Sequence, residues 1–211
     1  MKKSLLIFVL FTAGLVTFAQ QSSDSKAMSI LDKASAKFSK AYACDIKLSV
    51  KDPDNDKITT QNMSVKLYGN KFYIKSGDME TFFDGKTQWV YYQNLNEVTI
   101  TEPDAKELQQ ISPVAVIKNY KKNYKVLFDE NPNTAAQYVV SLLPNDKTDD
   151  VFRIRIYVNK NTDEITKIEA SMRNGQRMTF VFGAYRQITK TDGIFKFDEK
   201  TYPKVSINDL R

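Results

Sequence analysis

The feature that most constrains this chain is a change of hydrophobic period. From Ala43 onward apolar residues recur at every second position: Met63, Val65 and Leu67 with Ser64 and Lys66 between them, then Phe72 and Ile74 alternating with Tyr73 and Lys75. Only an extended backbone sends successive side chains to opposite sides, so each run reads as a half-buried strand. The pattern returns in Trp89 with Tyr91, Val98 with Ile100, Phe152 to Val158, Ile168 to Met172 and Met178 to Phe182. Turn signals separate the runs, among them Asp52-Pro53-Asp54-Asn55, Tyr68-Gly69-Asn70, Asp84-Gly85, Asn174-Gly175 and Asp192-Gly193. Strands joined by such short turns pair antiparallel, so the expected architecture is a mainly β meander of about eleven strands.

Two segments keep the helical period instead. Ala27 to Ala41 places Ile30, Leu31, Ala34 and Phe38 on one face of a leading amphipathic helix. Later, Glu102-Pro103-Asp104 leads into Ala105 to Gln110, and Ser112-Pro113 opens Val114 to Tyr120, with serine as N-cap and proline at the first helical position. At the amino terminus, Lys2 and Lys3 precede an apolar run from Leu5 to Val16, and Thr17-Phe18-Ala19 follows as a cleavage site. That run is shorter than the roughly 20 residues a membrane-spanning helix needs. The expected layout is therefore a cleaved signal peptide over 1–19 and a single domain over 20–211, exported to an oxidising extracytoplasmic space.

The 211 residues include no histidine and one cysteine, Cys44. An imidazole base, a Ser-His or Cys-His nucleophile pair, a zinc finger and an intrachain disulfide are excluded. No two carboxylates stand at a spacing that singles out an acid and a base, so no enzyme, cofactor or metal is expected. Cys44 reads as a small buried hydrophobe, too far along the chain to accept a lipid anchor. The net charge of +6 falls to +4 without Lys2 and Lys3. Basic residues are spread out; the densest cluster, Lys118, Lys121, Lys122 and Lys125, reads as a solvated face, as do Arg153 and Arg155. Nucleic acid is not an expected partner, and the chain is expected to be a monomer.

A sheet of this many strands with one apolar face must close, pack on another layer or be covered. Two short helices cover such a face only if the sheet curls, which leaves space beneath them for a ligand. A pocket lined by Phe, Ile, Leu, Met and Trp suits an acyl chain better than a polar metabolite. The alternative is that the same side chains interlock as an ordinary core, and patterning is compatible with both.

The segment Phe83-Asp84-Gly85-Lys86-Thr87-Gln88-Trp89-Val90-Tyr91-Tyr92, followed by Val98-Thr99-Ile100, resembles the Asp-Gly-Lys hairpin and Trp-x-Tyr strand of the periplasmic outer-membrane lipoprotein carrier family, LolA. The resemblance extends to Tyr42-Ala43-Cys44-Asp45-Ile46, Lys71 to Ile74, Ser112-Pro113 and Gly193 to Phe197. It implies an incomplete antiparallel half-barrel of about eleven strands, with helices covering a concave apolar face. It also implies a carrier that takes the acyl chains of lipoproteins from an inner-membrane releasing transporter to an outer-membrane acceptor. A lipid-sensing or interaction module of the cell envelope is the alternative on the same fold. The cavity residues implied are Tyr42, Val65, Leu67, Phe72, Ile74, Trp89, Tyr91, Val98 and Ile100, with Pro113, Val116, Ile117 and Tyr120 forming the lid; for Trp89 and Tyr91 the alternative is that their strand turns them to the convex side with Val90 inward. The family's lid-latching arginine and the proline after it are replaced here by Leu67-Tyr68-Gly69-Asn70. Either another group, with the Tyr68 hydroxyl as the candidate, holds the lid, or this relative is gated differently and carries a different lipid.

Overall fold

The computed structural model describes residues 14–104, 107–108, 113–129 and 135–211, with side chains from residue 24 onward except at 113–115 and 118–119. A leading helix α1 (Gly14–Ala36) ends in a 3-10 turn (Lys37–Ser39) and passes into the strands β1 (Tyr42–Lys51), β2 (Ile58–Tyr68), β3 (Lys71–Ser76), β4 (Met79–Phe83), β5 (Gln88–Tyr92) and β6 (Glu97–Thr101). After α2 (Pro113–Asn123) come β7 (Tyr124–Phe128), β8 (Gln137–Pro144), β9 (Val151–Asn159), β10 (Ile165–Met172), β11 (Arg177–Phe182), β12 (Arg186–Gln187) and β13 (Ser206–Asp209). All thirteen strands belong to one open sheet, ordered β13-β6-β5-β4-β3-β2-β1-β11-β10-β9-β8-β7, with the short β12 beside β1.

The expected meander is present, with two short strands more than expected. Every pairing is antiparallel except that of β13, which returns parallel to β6 with Ile207 beside Val98. The leading helix also starts earlier than the hydrophobic pattern suggests, at Gly14 rather than Ala27. Its described buried side chains, Ala27, Ile30, Leu31 and Ala34, nevertheless all lie within the predicted amphipathic segment. Of the first helical piece in the insertion, the described residues are Glu107 and Leu108. Its start is a reciprocal capping box: the Glu107 amide donates to Asp104 Oδ1 at 2.9 Å, and the Asp104 amide donates to Glu107 Oε2 at 2.8 Å. Ser112, expected as the N-cap of α2, lies outside the described residues.

Pairing register assigns every strand residue to one of two faces, because directly opposed residues point the same way. One face, called inner here, carries Cys44 opposite Val65, Leu67 opposite Phe72, Phe72 opposite Phe83, Ile168 opposite Phe180 and Val140 opposite Ile156. These residues form a single apolar cluster with Ile30, Leu31 and Phe38 of the leading segment and Val116, Ile117 and Tyr120 of α2. Both helices thus sit on the inner face. Lys26 Nζ lies 4.2 Å from the centre of the Phe128 ring and ties α1 to β7.

A second, smaller cluster occupies the outer face. Phe82 pairs with Trp89, Trp89 with Ile100 and Tyr91 with Val98. The returning C-terminal segment covers them with Phe197, Tyr202 and Val205. The Tyr91 and Tyr202 rings stand 4.4 Å apart, and Phe197 and Tyr202 stack at 4.5 Å. Glu80 fastens this cover by accepting from Tyr73 Oη at 2.9 Å and Tyr202 Oη at 3.2 Å.

Candidate functional site

The register divides the nine residues expected in the cavity. Val65, Leu67 and Phe72 are buried on the inner face within the helix-covered cluster, and Ile74 is partly buried against it. Tyr42, opposite Leu67, is half-buried on the same face, edge-on to Tyr185 with 6.1 Å between ring centres. Trp89, Tyr91, Val98 and Ile100 lie on the outer face instead, beneath the C-terminal cover. The pleat is the reason: Val90 and Thr99 take the inward positions of β5 and β6, in line with Ile74 and Thr81. The chain's largest aromatic side chain is therefore part of a packed outer layer.

Of the lid residues, Val116, Ile117 and Tyr120 face inward, at 7%, 1% and 2% exposure. They are adjacent on α2 because positions three and four apart share a helical face. The Pro113 side chain lies outside the described residues. The carboxyl end of α2 is pinned by Asn145, whose amide donates to the Asn123 carbonyl at 2.9 Å and whose side-chain Nδ2 donates to the Lys122 carbonyl at 3.2 Å.

The two helices are clasped through one carboxylate. Tyr120 Oη donates to Asp32 Oδ1 at 2.8 Å and lies 3.2 Å from the Met28 carbonyl, while Lys121 Nζ donates to Asp32 Oδ2 at 2.9 Å. Burial acts to raise the Asp32 pKa, but the hydrogen bonds and charge of Lys121 and Tyr120 outweigh it and hold the carboxyl below its ordinary 3.8. Burial and the neighbouring carboxylate push the Tyr120 hydroxyl well above its usual range. Tyr68, the candidate latch from sequence, is on the outer face: it pairs with Lys71 and stacks on Phe195 at 6.5 Å. There it lines a polar surface hollow of about 330 Å³ with Lys71, Asp84, Asp192 and Lys196.

Sequence reasoning missed the part of the inner face that the helices leave half-buried. Leu48 opposes Phe180, Val50 opposes Met178, and Ile46 opposes Met63. Leu48, Val50, Met63, Met178 and Phe180 are each only half-buried, although register points all of them inward, and Met63 and Phe180 pack against the buried cluster. The signal was present in the alternation of Ile46, Leu48 and Val50 within β1.

Among the described residues no helix is long and apolar enough to cross a membrane, and no group of His, Cys, Asp or Glu could hold a metal ion. Cys44 is a free, buried thiol on the inner face. Burial, with the adjacent Asp45 charge adding to it, pushes its pKa up to about 12.

An open sheet, antiparallel but for β13, with a helix-covered apolar inner face defines the class: a half-barrel. Residues 15–176 match the family described as outer membrane lipoprotein carrier protein LolA, and the chain belongs to that family. Among solved structures it is similar to an uncharacterized conserved protein from Thermus thermophilus, with 11% identity and a TM-score of 0.56 over 87% of this chain and 99% of that one. It also matches a LolA superfamily protein from Nitrosomonas europaea, with 14% identity and a TM-score of 0.47 over 82% of this chain and 98% of that one. A third match is the MucA/MucB complex of Pseudomonas aeruginosa, with 9% identity and a TM-score of 0.41 over 83% of this chain and 62% of that one. No curated protein matches the sequence.

Proposed function

We propose that this protein binds the acyl chains of lipoproteins on its inner face and carries them through the periplasm, loaded by an inner-membrane releasing transporter and unloaded to an outer-membrane acceptor. The observation that carries the reading is the extension of the inner face from the buried cluster beneath α2, through Met63 and Phe180 packed against it, to the half-buried, inward-facing Leu48, Val50 and Met178. Each methylene removed from water on such a surface contributes about 0.8 kcal/mol, so affinity needs few polar contacts. Release needs a covering that can repack on the same surface. Val116, Ile117 and Tyr120 serve as that covering, with the Asp32 clasp as the fastening the family arginine would otherwise supply.

Cleavage after Ala19 would cut α1 near its start and leave the buried positions Ala27, Ile30, Leu31 and Ala34 in place. The test is native mass spectrometry of protein expressed with its amino-terminal segment and purified without detergent. Discrete adducts with acyl masses are expected, reduced in a Leu48→Asp variant that melts like the parent. If no adduct forms, no fluorescent acyl probe binds, and a membrane receptor co-purifies instead, the carrier reading is wrong and the sensor reading replaces it.

A further inference from the structure

The inner face is not apolar throughout. Across β3 to β6 its inward positions include Ser76, Thr81, Gln88, Thr99 and Thr101. Thr81 opposes Ile74 and Val90, Gln88 opposes Phe83 and Thr101, and Ser76 opposes Met79, one inward step along β3 from Ile74. Ser76, Thr81 and Gln88 are buried, at 5%, 4% and 6% exposure, and Ser76 Oγ has no hydrogen-bond partner among the described residues. A buried hydroxyl without a partner is a net cost to a fold and calls for an explanation. The one carboxylate among the described residues of these rows is Glu97, half-buried at the far end of Ser76's own row, beyond Met79 and Tyr92.

We infer that this corner of the inner face is a subsite for the ester or amide carbonyls at which acyl chains join the polar part of an amphiphilic cargo. Hydroxyl and carboxamide groups donate to carbonyl oxygens without demanding a counter-charge. The apolar cluster at Leu67, Phe72 and Phe83 adjoins them directly, so one ligand can place its chains on the cluster and its linkage on the corner. The inference rests on the acyl-binding reading above and adds which chemistry the cargo presents beside its chains.

The experiment displaces a fluorescent apolar probe, N-phenyl-1-naphthylamine, from the full chain with 1,2-dioctanoylglycerol and with its ether analogue 1,2-dioctylglycerol, which lacks carbonyls. The parent should prefer the ester five- to tenfold. Ser76→Ala and Thr81→Val should each remove most of that preference with ether affinity unchanged, and Ser76→Ala should not lower the melting temperature, since it deletes no bond. Equal affinity of the parent for ester and ether, or variants that lose both ligands together, would overturn the subsite while leaving acyl binding intact. Failure of the parent to bind the probe and either lipid would instead remove the acyl-binding reading itself, and the subsite with it. A diacylglyceryl-cysteine peptide run alongside separates the sources: tighter binding than dioctanoylglycerol supports the subsite with a lipoprotein linkage, and equal binding supports it with a glycerolipid.

Discussion

Tyr120→Phe isolates the clasp between the helices. The change keeps the ring, which is 2% exposed, and removes only the hydroxyl that donates to Asp32. A hydrogen bond to a charged acceptor is worth about 1.5–3 kcal/mol net, but the Asp32 side chain is 49% exposed and keeps Lys121, so solvent screening reduces the loss to about 1 kcal/mol. A loss of about 1 kcal/mol is roughly a fivefold change in an equilibrium constant. If α2 lifts from the inner face as a unit, its detached population should rise about fivefold. Hydrogen exchange followed by mass spectrometry reads this directly: amides of α2 should exchange about fivefold faster, through an opening in which β8 and β9 stay protected. The melting temperature should fall by about 2–4 °C, as expected for a chain of this size. Tyr185→Phe is the control, because it deletes a hydrogen bond of similar length, 3.0 Å to the Ile165 carbonyl, away from the clasp. If α2 exchanges no faster in Tyr120→Phe than in that control, the hydroxyl does not hold the helix down and the reasoning fails.

Three further outcomes are expected. Trp89 lies in the outer cluster, so its emission maximum should stay put when an acyl probe without spectral overlap binds; a shift of several nanometres would return it to the cargo surface. The Cys44 thiol, buried with its pKa pushed up to about 12, should resist a thiol reagent at pH 8 in the native protein and react fully in denaturant. The clasp should also make binding insensitive to pH near neutrality. The folded Asp32 pKa lies below its ordinary 3.8, so the stabilisation it contributes is present above that value and is lost only as pH falls through the lower folded pKa. Probe affinity should accordingly be flat from pH 5 to 8, and a titration centred near pH 6 would implicate a different group.

The strands were legible because period two leaves few alternatives, and the helical interruption because Asp104 and Pro113 mark helix starts. What alternation leaves undetermined is the side toward which each run points. In β5, Trp89 and Tyr91 are the larger residues and read as interior, yet Val90 points inward; only the register with β4 and the cover by Phe197 and Tyr202 decide it. A cue existed in the aromatic residues Phe195, Phe197 and Tyr202 after the Asp192-Gly193 turn, which need an apolar surface of their own. Strand β13 was not legible: it is four residues long, exposed throughout, and paired in parallel across more than a hundred positions. The clasp was equally hidden, since Asp32 and Tyr120 are 88 residues apart and neither belongs to a recognisable local motif.

The ladder of strands ends at β7 on one side and at β13 on the other. A closed barrel could widen only by breaking rungs, whereas this wall can splay by bending and still keep every inter-strand bond. Guests of different girth would then be charged in curvature, a soft and graded cost, which favours tolerance of many tails over recognition of one.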